Sequence, residues 1–112
     1  MRFVLLSLLF ATAAQAQVFI PDMPDIPLPD EAESESVFDF DTENTHLTQV
    51  MVYTSAPSKA TLQFYDDTLP QLGWQPAGPH RFVRDADTLT IEPVSQKEGT
   101  TAIRVELKVT NK

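Results

Sequence analysis

The sequence predicts an α+β domain of two layers, one amphipathic helix packed on a mostly antiparallel four-stranded sheet in the order β-α-β-β-β, preceded by a disordered leader. Three observations predict it. Apolar residues recur with helical period between Pro57 and Leu72, they alternate strictly in the C-terminal third, and residues 17–46 combine dense prolines and acids with no Lys or Arg.

The first strand spans Leu47 to Thr54, Leu-Thr-Gln-Val-Met-Val-Tyr-Thr, a run rich in β-branched and aromatic residues. Ser55-Ala56-Pro57 then reads as a helix start, with Ser55 as cap and Pro57 in the first turn, where a missing donor costs nothing. Stepping 100° per residue gathers Thr61, Phe64, Tyr65, Thr68, Leu69, Leu72 and marginally Leu62 on one side, opposite Lys59, Gln63, Asp66, Asp67 and Gln71. Pro70 falls in the last turn, and Gly73 suits a left-handed end. Beyond Trp74, Arg81 to Arg84 and Thr88 to Glu92 flank Asp85-Ala86-Asp87 as a hairpin. A turn at Gln96-Lys97-Glu98-Gly99 leads to Ala102 to Val109, with Ile103, Val105, Leu107 and Val109 on one face and Arg104, Glu106 and Lys108 on the other. Leu89, Ile91 and that apolar row supply the sheet face for the helix. Thr88, Thr90, Glu92, Arg104, Glu106 and Lys108 make the opposite face polar.

The leader, residues 17–46, carries nine acids and no base, whereas residues 47–112 are neutral. Pro21 to Pro29, Pro-Asp-Met-Pro-Asp-Ile-Pro-Leu-Pro, favours extended polyproline-like chain, and the following acid run repels itself, so the segment is expected to be a mobile tether. Neither part has the basic surface that nucleic acid or an anionic membrane attracts.

Residues 1–16 have the form of a cleavable secretory signal: Arg2, an apolar run from Phe3 to Ala14, then Ala14-Gln15-Ala16 as a small-x-small cleavage site. The run is too short to span a bilayer, for which about 20 apolar residues are needed. The expected product starts at Gln17, has no stable membrane insertion, and lies outside the cytoplasm, in the periplasm if the source is Gram-negative and otherwise secreted. With no cysteine, its fold cannot rest on disulfides.

At the helix end stands Phe64-Tyr65-Asp66-Asp67-Thr68-Leu69-Pro70-Gln71-Leu72-Gly73-Trp74. This pattern resembles one in small exported proteobacterial proteins of unknown function, in which a Phe-Tyr helix leads through Gly-Trp into a β-meander. The resemblance covers about Val50 to Val109. It implies fold and compartment and brings no functional residues.

No catalytic, cofactor or metal residue is identified. Asp66 and Asp67 are adjacent and point about 100° apart on a helix, so they cannot face one substrate together. Ser55, Ser58, His46 and His80 make no nucleophile motif, and two distant histidines leave little for zinc. The expected function is a non-catalytic binding or protein-interaction module of the cell envelope. Its candidate partner patch is Phe38, Phe40, Leu47, Met51 and Tyr53, because the first strand is apolar on both faces and the leader brings two aromatics to it. Two alternatives remain open: a small enzyme or enzyme subunit whose site is assembled in three dimensions, and a carrier of a small apolar ligand with Tyr65 and Trp74 as stacking residues. Phe38 and Phe40 are expected to fold back over Met51 and Tyr53 as a weak lid.

Overall fold

Residues 17–46, expected to be a tether, form strands. The computed structural model describes residues 17–110, and the signal-peptide expectation for residues 1–16 lies outside them. In chain order come β1 (Phe19–Ile20), β2 (Met23–Pro27), β3 (Glu33–Asp41), β4 (Thr45–Thr54) and the helix α1 (Ser58–Thr68), which continues into a 3-10 turn (Leu69–Leu72). β5 (Gln75–Pro76), β6 (Arg81–Arg84), β7 (Asp87–Lys97) and β8 (Thr100–Thr110) follow. β1 and β2 form a two-stranded sheet, and the other strands form a six-stranded sheet in the order β3-β4-β8-β7-β6-β5, antiparallel throughout. The α+β expectation with one four-stranded sheet and a disordered leader is therefore corrected. Among the described residues the fold is mostly β, with eight strands in two sheets and one helix.

Where the apolar residues alternate, the sheet follows the pattern. Val50 pairs with Val105 and Val52 with Ile103, while Ile91 meets Val105 from the other side and Leu89 meets Leu107. Paired residues share a face, so these side chains form one inner row, joined by Phe82 and by Tyr65 and Leu69 from the helical layer. Of the residues expected on the helix's apolar side, Thr61, Tyr65 and Leu69 are buried and Phe64 and Leu72 pack at the margin. Gly73 adopts φ 95°, the left-handed end that a side chain would strain, and its backbone N–H returns to Leu69 and Pro70.

Ser55 does not cap the helix. The residue before α1 is Pro57, which offers no side-chain cap. The Gln96 side chain of β7 instead accepts the Ser58 N–H at 2.8 Å, and the Pro57 carbonyl accepts both the N–H and the hydroxyl of Thr61. One of the four donors orphaned at a helix start is thus satisfied from a distant strand, a solution invisible to local pattern reading.

The leader departs from expectation for two separate reasons. In its first half Ile20, Met23 and Ile26 recur every third residue, and all three are buried together with Leu28 in the common core. A spacing of three fits extended, proline-rich chain and escapes both the period-2 and period-3.6 templates. Pro24 and Pro27 are tolerated because β2 has a single neighbour and needs donors on one side only. In its second half β3 buries almost nothing, yet it pairs with β4 along its length, so its backbone bonds are made without desolvating the acids.

Candidate functional site

Alternation along β4 sorts its residues between two environments. Thr48, Val50, Val52 and Thr54 are buried on the inner face, and Leu47, Gln49, Met51 and Tyr53 are part-exposed on the outer face. The β3 register then decides which leader residues join them. Glu33 lies opposite Tyr53 and Glu35 opposite Met51, and a bulge between Ser36 and Phe38 displaces the pairing by one residue. Phe38 therefore meets Gln49 and Phe40 meets Leu47. Without the bulge both rings would point to the other side of the sheet.

All five residues of the candidate patch consequently share the outer face. Phe38 and Phe40 stay 38% and 57% exposed. The lid expectation is corrected here. The aromatic rings stand beside Gln49 and Leu47, and the residues facing Met51 and Tyr53 across the strand pair are Glu35 and Glu33. Glu35 accepts the Tyr53 hydroxyl at 3.1 Å, which holds that phenol protonated to higher pH than usual. Next to the patch the outer face is polar and self-paired: Gln49 donates to Glu106 at 3.2 Å, and Arg104 pairs with Glu92 at 2.9 Å.

On the opposite side of the β3–β4 hairpin, His46 lies between two carboxylates. Its Nδ1 meets Asp41 at 3.1 Å and its Nε2 contacts Asp39. The hydrogen bond to Asp41 is the largest influence holding the imidazole pKa above its usual value. Because each carboxylate takes a different ring nitrogen, the three groups do not converge on one point. Among the described residues no group of three His, Cys, Asp or Glu is placed to hold a metal ion.

Tyr65 and Trp74, the candidate stacking residues, are each 1% exposed. The Tyr65 hydroxyl donates to the Pro27 carbonyl at 2.8 Å, and burial pushes its pKa strongly upward. Arg84 covers Trp74, its guanidinium 4.4 Å from the ring centroid, and pairs with Asp25 at 2.9 Å. Sequence reading missed this Asp25–Arg84–Trp74 stack. Its only local signal was a base in β6, and the matching acid lies 59 positions upstream. The indole Nε1 is buried with no hydrogen-bond partner among the described residues.

A cleft at the start of α1 is lined by Ser55, Pro57, Gln96, Lys97, Glu98, Gly99 and Thr101. It brings Ser55 near a lysine and a glutamate, but neither histidine lines it. Among the described residues no helix is long and apolar enough to cross a membrane. No family model matches the chain, and neither a curated protein nor a solved structure matches it, so the functional reading rests on the geometry of the β3–β4 face.

Proposed function

We propose that this chain is an exported, non-catalytic protein-interaction module of the cell envelope, docking its partner on the outer face of β3 and β4. One observation carries the reading: Phe38, Phe40, Leu47, Met51 and Tyr53, from two segments of opposite character, stand on one sheet face, with both phenylalanines exposed. Exposed aromatics next to part-buried aliphatics are the usual material of a binding anchor. Export is supported by the signal-like residues 1–16 and by the resemblance of the Phe64 to Trp74 motif to exported proteins; the compartment is the periplasm if the source is Gram-negative and the exterior otherwise. A ligand carrier is less well supported, since Pro27 and Arg84 of the chain itself already occupy Tyr65 and Trp74.

The test is a photo-crosslinking amino acid placed in the source cell at Phe40 and, as a control, at Lys59 on the exposed side of α1. Discrete crosslinked products from position 40 and none from position 59 are the expected result. Equal crosslinking at both positions would remove the outer face from consideration.

A further inference from the structure

β3 is an edge of the main sheet. Eight of its nine residues pair with β4 on one side, Val37 falling in the bulge, and no other described strand lies along the second side. An uncovered edge offers a row of backbone donors and acceptors to any extended chain. Other open edges of the sheet are guarded in familiar ways. β5 is two residues long and contains Pro76, and the part of β7 beyond β6 contains Pro93 and a bulge before Ser95. β3 has no proline.

Charge selects the occupant. Glu33, Glu35, Asp39 and Asp41 lie along β3, within a segment from Gln17 to Glu43 that has no Lys or Arg. A second copy is disfavoured by the same residues, since pairing two β3 edges would bring two sets of Glu33, Glu35, Asp39 and Asp41 together along one seam. Like charges crowded along a strand pair destabilise it, so the acids block self-association while attracting the opposite charge.

Resting on the interaction reading above, we infer that the β3 edge takes up an extended cationic segment of a partner protein as an added β-strand. The bulge puts Glu33, Glu35, Phe38 and Phe40 on one face, so the incoming strand carries Lys or Arg beside the glutamates and apolar residues beside the phenylalanines on that same face. Its backbone bonds supply affinity, and the placing of cationic and apolar side chains along that face supplies selectivity.

The test uses residues 17–112, which contain every described element, labelled with nitrogen-15. The probe is a blocked nine-residue peptide with Thr at alternate positions and, on the face between them, two Lys followed by two Val, made also in the reverse order. Saturable amide shifts confined to Glu33–Asp41 are expected. Affinity should fall roughly tenfold or more when the lysines are replaced by glutamate, and should be lost when the central residue of the peptide is proline. Glu33→Gln with Glu35→Gln should weaken binding roughly 2- to 10-fold without disturbing the fold, since both side chains are exposed and Gln still accepts from Tyr53. Shifts at Leu47, Met51, Tyr53 and Arg104 that spare the β3 amides and tolerate the proline peptide would overturn strand addition and leave the docking face intact. No shift with any peptide would overturn the inference as well, with the crosslinking experiment deciding the docking face separately. Dimerisation of the chain through β3 would overturn it by naming a different occupant.

Discussion

The two halves of the acidic segment carry the same net charge and have opposite roles. Residues 17–32 place Ile20, Met23, Ile26 and Leu28 in the core. Residues 33–41 leave Val37, Phe38 and Phe40 exposed on an edge strand. Net charge does not separate them. What separates them is the spacing of apolar residues against the prolines, and whether a neighbouring surface accepts what they present. One half completes the fold, while the other is carried by it.

The contrast is broken most severely by deletion. Removing residues 17–31 withdraws four buried side chains, each contributing about 1.5–3 kcal/mol, or about 6–12 kcal/mol together. A chain with this number of described residues has roughly 5–14 kcal/mol in total, at about 0.05–0.15 kcal/mol per residue. The truncated protein should therefore lose its cooperative thermal transition in calorimetry. A transition within a few degrees of the intact protein would return β1 and β2 to the status of a tether.

Trp74 joins the first half to the main sheet through Arg84 and Asp25. Trp74→Ala should cost about 3–5 kcal/mol by denaturant titration. Trp74→Phe should cost clearly less, because it keeps a ring under Arg84 and removes a buried N–H that lacks a partner. If both substitutions cost the same, the indole N–H has a partner after all.

A matched pair of variants sharpens the comparison within the segment itself. Ile26→Ala should lower stability by about 2–5 kcal/mol, whereas Phe38→Ser with Phe40→Ser should change it by no more than about 1 kcal/mol. Equal losses would mean that the phenylalanines are held as firmly as the core.

The smallest effect is a pH dependence at the tip of the second half. Raising the folded-state pKa of His46 means that its contribution is complete below the unfolded value near 6.5 and is lost as pH rises through the higher folded value. Ring titration by NMR should report a pKa above 6.5, and Asp41→Asn should bring it back toward that value. Amide exchange at Thr42 and Thr45, which close the hairpin through their backbones and the Thr42 hydroxyl, should quicken across the same pH window. A ring pKa at or below 6.5 in the native protein would show that neither carboxylate holds the imidazole.

Much of the second two-thirds of the chain was legible. Alternation from Thr88 to Glu92 and from Ala102 to Val109, and the helical period after Pro57, each state a face and a period that need no partner to be read. The candidate patch was legible in part: Leu47, Met51 and Tyr53 stood out because β4 is apolar on both sides. How Phe38 and Phe40 reach that face was not, since it depends on a single bulged position that reverses the side of every later residue in β3. Arg84 could not be assigned to Trp74, because a cation's partner is set by proximity in space.

By itself the sequence determined the local elements, namely the helix with its left-handed glycine end, the C-terminal hairpins, and the segregation of negative charge into residues 17–46. Only the tertiary structure decided that this charged segment is a working part of the fold. Burial of Ile20, Met23, Ile26 and Leu28 becomes favourable only against the surface that the helix and main sheet create, and the backbone of β3 is satisfied only by β4. Both are interactions between segments, so no window read along the chain contains them.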